Sequence, residues 1–271
     1  MDRAVAETAR PRSAFLRGLA VQRKVIGALV LRELHTRYGR ENIGYAWLIL
    51  EPAILAGLIA LIHSRSPSHF GSDMKPVPFA LVGYCTFMMF RGIFNRSEGA
   101  LEANLTLMYH RTVQIFDIML ARAMLEALST CIAFFFLLGI AVACGVANLP
   151  YRPLMLLLGL LCMFLLSFGL SLCVVSITHD RKGIGRLIHP IGYIMLPLSG
   201  VFAAMQWLPS SIAYAFSWIP MSHVMEIVRY GQFRSASPDF IDWGYLVGWI
   251  LIPTLLGLVS ISVLRGKIHM P

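Results

Sequence analysis

Residues 153–178 read PLMLLLGLLCMFLLSFGLSLCVVSIT, 26 positions without an Asp, Glu, Lys or Arg. An apolar run that long covers the ~30 Å hydrocarbon core of a bilayer as a helix, so it reads as a membrane span. Just before it, Asn148-Leu149-Pro150-Tyr151-Arg152 forms a turn, and a further apolar stretch, 127–149, leads into that turn. The two stretches therefore predict an antiparallel helical pair.

The same reading extends in both directions. Residues 43–63 are 21 apolar-rich positions, about 31 Å as a helix. Residues 77–94 form a second span, interrupted late by Arg91, and 243–264 form the last. Between Leu187 and Met225 there is no acidic residue, Lys or Arg in 39 positions, but Pro190, Pro197, Pro209 and Pro220 interrupt the run. That is too long for one span and too broken for two full ones. It predicts a fifth span over 187–205 and a partly inserted hairpin region over 206–240. Irregular backbone at membrane depth is stable only where protein or water satisfies its polar groups. The expectation is thus an all-α polytopic membrane protein, a single transmembrane domain over 1–271. It has six transmembrane helices, an N-terminal amphipathic interface helix over 13–40 and an outer re-entrant hairpin after the fifth span.

Composition supports this class. Of 271 residues, 57% are hydrophobic and 14% charged, with a mean hydropathy of +0.70. That balance excludes a soluble globule, a disordered chain, a collagen and a secreted disulfide scaffold. The net charge of +9 arises from 23 Lys and Arg against 14 Asp and Glu. In a soluble chain it would suggest nucleic acid; here it marks the cytoplasmic membrane face, and no nucleic-acid partner is expected. With both termini cytoplasmic, residues 1–42, 91–122, 179–186 and 265–271 hold 18 basic residues. The outer loops hold five, Arg65, Lys75, Arg152, Arg229 and Arg234. The first 24 residues have six basic residues and no continuous apolar core, unlike a cleaved signal peptide. All five cysteines fall in apolar stretches without a CxxC pair and read as packing residues.

Several positions suggest function. Phe15, Leu19, Ile26, Leu29, Val30 and Leu34 share about 140° of a helical wheel, opposite Arg17, Lys24, Arg32 and His35, which predicts a basic helix along the inner leaflet. In the loop after the second span, 95–114, Asn95 reads as a helix cap with Glu98 three residues on. Leu101, Leu105 and Met108 then share one face. A helix this short is marginal alone, so the stripe needs a docking surface, either lipid or a partner's groove.

Ionisable residues in or beside spans are expensive, so Glu51, Arg91, Arg122, Glu126 and His189 are each singled out. Glu51, before Pro52, must face protein or water. Arg122 and Glu126, four apart, predict a neutralising pair on one helix face. Arg91, with Arg96 and Arg111, is the candidate cationic entrance for an anionic substrate. Tyr45, Trp47, Tyr84, Tyr193, Trp207, Tyr214 and Trp218 suit either an interfacial aromatic belt or a pathway of sugar-stacking rings.

No phosphate-cradle motif occurs, since Gly266-Lys267 is followed by Ile268. No H-E-x-x-H site or G-x-S-x-G turn is present; His223 and Glu226 are helically spaced, but one such pair does not make a metal site. A membrane-embedded glycosyl or acyl transferase would need clustered titratable groups, and the acids here are scattered.

Three stretches together carry a resemblance: Leu31 to Gly39 leading to Gly44 through Pro52, Asn95-Arg96-Ser97 through Glu102-Ala103-Asn104, and Pro220 through Glu226. In order and spacing the chain resembles the permease subunits of capsular-polysaccharide ABC exporters of Gram-negative bacteria, the KpsM type within the type-2 ABC export permeases. It differs at Ile219, where that family often has Asn.

The resemblance implies a homodimer in the bacterial inner membrane that exports a lipid-linked acidic polysaccharide. It further implies two cytoplasmic ABC ATPase subunits, periplasmic co-polymerase-like partners and outer-membrane polysaccharide export proteins. The chain would be no enzyme; ATP and Mg would bind the separate ATPase, and no metal or cofactor would bind this chain. Asn95, Glu98, Leu101, Glu102, Asn104, Leu105 and Met108 would form the coupling segment. Tyr45, Trp47, Glu51, Tyr84, Arg91, Arg96, Arg111, His189 and Tyr193 would be candidates for the path, and Trp207, Trp218, His223 and Glu226 for the outer hairpin. The alternative cargo is a neutral O-antigen or teichoic-type polymer.

Overall fold

The computed structural model describes residues 11–38, 73–108 and 113–267, together with 50, 51, 53, 54, 57, 58 and 61. Among these, regular structure is entirely helical: α1 Pro11–Tyr38, α2 Pro76–Asn95, α3 Leu105–Met108, α4 Ile115–Ala143, α5 Pro153–Asp180, α6 Lys182–Leu198, α7 Ser210–Ser217, α8 Pro220–Gln232 and α9 Trp243–Lys267. Four are long and apolar enough to cross a membrane: Pro76–Asn95, Ile115–Ala143, Pro153–His179 and Trp243–Leu264. Most of the 43–63 stretch lies outside the described residues, and those described within it are helical.

Local chemistry sets the helix starts. Prolines occupy the first turns of α2, α5 and α8, where no backbone N–H is needed and φ is already helical. At α4 a reciprocal capping box forms between Gln114 and Asp117, whose carboxylate accepts the Gln114 N–H at 3.2 Å.

α5 is the central post, packing against α2, α4, α6, α8 and α9. Met163, Leu166 and Leu172 are wholly buried along it. Close approach depends on small residues: a side chain on Gly257 of α9 would overlap Leu172, and one on Gly231 of α8 would overlap the Leu156 backbone. The outer faces of α4 and α9 expose large apolar side chains, including Ile132, Phe136, Ile252, Leu255 and Val259. An apolar belt of that kind suits lipid rather than water.

Several boundaries differ from expectation. α4 starts at Ile115, twelve residues before the expected 127, because the capping box nucleates it there. α6 ends at Leu198 rather than 205, where Gly200 takes a positive φ of 80° and turns the chain. The 206–240 region is two short helices, α7 and α8, preceded by a 3-10 turn at Met205–Trp207. α1 is helical as expected, with Ile26, Leu29 and Val30 turned to the core and Arg17, Lys24 and His35 exposed, but the separation of faces is incomplete. Leu16, Leu19, Val21 and Leu31 are exposed, while Gln22 and Glu33 turn polar groups toward α4. Cys144 lies exposed at the end of α4, unlike the buried Cys85 and Cys162.

Candidate functional site: a cross-tied loop and an opposed hairpin

The loop after α2 is anchored by apolar side chains and cross-tied by polar ones. Ala100, Leu101 and Met108 are buried in the chain's own core. Gly99 makes the turn with φ 65°. Asn104, buried, donates to the Ala100 carbonyl at 2.7 Å and accepts from the Arg32 guanidinium of α1. Glu98 faces His189 of α6 at 3.4 Å, and Glu102 faces His179 near the end of α5 at 3.4 Å. Arg96 pairs with Glu126 of α4 at 3.1 Å, and Arg122 of α4 donates to the Arg96 carbonyl at 3.4 Å. Four helices thus hold one loop.

This corrects three expectations. Asn95 is the last residue of α2, not an N-cap; its side chain packs against Gly192 of α6, with Oδ1 buried and, among the described residues, without a hydrogen-bond partner. Leu101, Leu105 and Met108 do not share an outward face: only Leu105 is exposed, and the outward surface is Glu102, Ala103, Leu105 and Thr106. Arg122 and Glu126 are not each other's partners. Arg122 donates to Glu33 of α1 at 3.0 Å while Glu126 meets Arg96, because both can reach between helices and so link elements rather than turns. Gly92 makes this possible, since a side chain there would overlap the Glu126 carboxylate.

Of the path candidates, Arg91 and Tyr193 come together. The guanidinium carbon lies 4.3 Å from the Tyr193 ring centroid and Nη2 donates to the hydroxyl at 2.7 Å. Arg96 is engaged in its ion pair, so it is not a free entrance cation. Tyr84 is buried, within hydrogen-bonding reach of Arg91 and electrostatic reach of Glu51. Tyr45, Trp47 and Arg111 lie outside the described residues.

The opposite end is built around Arg229, which is 1% exposed. The sequence places it among outer-loop charges; instead it lies on α8 and is enclosed. Nη1 donates to Glu226 Oε1 at 2.9 Å and to the Ala203 carbonyl at 3.1 Å; Nη2 donates to the Gly200 carbonyl and to that of Val201 at 3.2 Å. Its guanidinium carbon lies 4.4 Å from the centroid of Phe79, and the Trp207 ring lies tilted against that same ring, centroids 4.7 Å apart. Glu226 also accepts the Met205 N–H at 3.1 Å. One buried ion pair therefore satisfies four backbone groups between α6 and α7, the carbonyls of residues 200, 201 and 203 and the N–H of Met205. The signal available in the sequence was the Glu226-x-x-Arg229 spacing inside an otherwise apolar helix.

His223 sits between Ser217 O, 2.8 Å from Nε2, and the Phe240–Asp242 segment, whose Asp242 N–H donates to Nδ1 at 3.2 Å. Trp218 is exposed. Asp73 ties the α2 entry to the segment after α8, accepting from the Ser235 hydroxyl and from the N–H groups of Arg234 at 2.6 Å and Ser235 at 3.1 Å. Burial alone would raise the Asp73 carboxyl, but these bonds outweigh it and hold the group below its ordinary value of 3.8. Among the described residues no cluster of three or more His, Cys, Asp or Glu could hold a metal.

A helical body with an apolar belt, a cross-tied polar loop at one end and a buried ion pair at the other defines an integral membrane protein. The chain belongs to the ABC-2 type transporter family, whose family model matches residues 24–233. It is 35% identical to the capsule polysaccharide export inner-membrane protein CtrC of Neisseria meningitidis serogroup B, over 93% of this chain and 95% of that protein. The capsule polysaccharide export inner-membrane protein BexB of Haemophilus influenzae is 33% identical over the same shares. The polysialic acid transport protein KpsM of Escherichia coli is 31% identical, over 89% of this chain and 93% of that protein.

Proposed function

We propose that the chain is the permease subunit of an ATP-driven exporter that moves capsular polysaccharide across the bacterial inner membrane. Its cargo in this reading is a lipid-linked acidic polymer. Two copies form the path, two cytoplasmic ATPase subunits bind ATP and Mg, and periplasmic and outer-membrane export proteins carry the polymer onward. Six spans, cytoplasmic termini and a re-entrant outer hairpin belong to this reading, supported by the distribution of basic residues. With Arg229 buried on α8, the outer side has even fewer loop cations than the sequence suggested.

The single observation that carries the reading is the loop over 95–108. Its apolar anchors point inward, its outward face is small and mixed, and its polar groups reach α1, α4, α5 and α6. A subunit pressing on that face would move several helices together, whereas a loop docked only on lipid needs no such ties. ATP-driven closure of the ATPases then shifts the inner halves of the helices and passes the polymer in steps. Contacts along the path stay weak, because tight binding would stall an elongated substrate.

Reconstitution in vesicles with and without the ATPase tests this. Polymer movement should require both the ATPase and ATP hydrolysis. Movement without any ATPase, or product formation from sugar donors, would overturn it.

A further inference from the structure

An open cleft of about 620 Å³ lies at the outer end, between the α4–α5 turn and the segment after α8, with Asp73, Asn148, Tyr151, Gln232, Arg234 and Ser235 in its walls. Three features of these walls belong together. Tyr151 presents an exposed ring, with the guanidinium carbons of Arg152 and Arg234 at 4.7 and 5.8 Å from its centroid. Arg234 is exposed, and among the described residues its guanidinium has no hydrogen-bond acceptor, although its backbone N–H is held by Asp73. Gln232 is 3% exposed; its Nε2 donates to the Asn148 carbonyl at 2.8 Å while its Oε1 is buried and, among the described residues, has no partner.

An unpaired buried amide oxygen is a standing penalty that a ligand hydroxyl would relieve. A free guanidinium beside an exposed aromatic face suits a carboxylate carried on a ring. The one carboxylate in the walls, Asp73, already accepts three hydrogen bonds, so it competes little for the cation. Lys75 and Arg152 add positive charge nearby, bonded to the Gly145 carbonyl and to the Tyr230 carbonyl respectively.

We propose that this cleft binds an acidic sugar unit of the polymer as it leaves the membrane. Arg234 takes the sugar carboxylate, Tyr151 stacks on the ring face, and Gln232 Oε1 accepts a ring hydroxyl after a small side-chain shift. A weak hold here opposes back-slip of the chain between strokes. The choice of ligand rests on the exporter reading, but the site can be tested apart from it.

The full chain, purified in detergent without ATPase or nucleotide, is titrated with hexagalacturonate and with neutral maltohexaose. Hexagalacturonate should bind at least several-fold more tightly. Arg234→Ala and Tyr151→Ala should each weaken it about tenfold, the worth of one charge-assisted or stacking contact. Both variants should melt as the parent does, since both side chains are exposed. Wild-type failure to bind the acidic oligomer, equal affinity for the neutral one, or unchanged affinity in both variants would overturn the proposal. Loss of ATP-dependent export with acidic-sugar binding intact would count against the exporter reading and leave the site standing.

Discussion

The two ends of this molecule are held by opposite kinds of electrostatics. At the hairpin, Glu226 and Arg229 are both nearly inaccessible, and besides each other they bond to the chain's own backbone and, for Arg229, face an aromatic ring. At the loop over 95–108, the pairs are half-solvated: the side chain of Arg96 is 47% exposed beside Glu126, and that of His189 is 57% exposed beside Glu98. A desolvated pair resists rearrangement because parting it strands a charge, while solvated pairs exchange partners at little cost. In the orientation proposed above, the contrast fits a fixed frame at the outer end and a movable, multi-helix handle at the inner end.

The largest test of that contrast is Arg229→Ala. It leaves Glu226 buried and unpaired and three carbonyls without donors, a loss of about 3–5 kcal/mol. Folded yield and melting temperature in detergent should collapse. Replacing Arg229 and Glu226 together by Met and Gln should be much milder, since no charge is then stranded. A single variant that folds normally would remove the fixed frame from the account.

Gly231→Val should come next. Its side chain meets the Leu156 backbone, so α8 must back away from α5 at a cost of about 1–3 kcal/mol, read as a lower melting temperature. Glu126→Gln should behave differently. Its pair with Arg96 is partly solvated, so stability should fall by less than about 1 kcal/mol. Export should fall several-fold nevertheless, because the loop is uncoupled from α4. Equal losses of stability at Glu126 and Arg229 would erase the distinction between the two ends.

The smallest effect concerns pH. Asp73 is held below 3.8 in the folded protein, so its bonds to Arg234 and Ser235 stabilise the fold above that value and are lost as pH falls through the lower folded value. Acid unfolding of Asp73→Asn should therefore show a shallower slope than the parent below about pH 4, measured as melting temperature against pH.

The long spans were legible because burial in lipid imposes one rule along a whole helix. Residues 153–178 and 243–264 match α5 and α9 to within a few positions. What the sequence hid were interactions between helices. Spacing alone pairs Arg122 with Glu126, yet Glu33 and Arg96 stand closer once α1 and α2 pack on α4. Leu101 and Met108 looked like a docking stripe because sequence cannot say whose groove an apolar face fills; the chain fills its own. Arg229 read as a loop charge because the carbonyls that enclose it come from residues 200–203, a turn whose course no periodicity specifies.

The most direct test of the movable handle is site-specific photocrosslinking in native membranes. A photoreactive residue at Ala103 or Leu105 should capture a nucleotide-hydrolysing subunit, and one at Leu101 or Met108 should capture none and should destabilise the protein. Capture from Leu101 or Met108, or none from Ala103 and Leu105 while capsule export proceeds normally, would contradict the account.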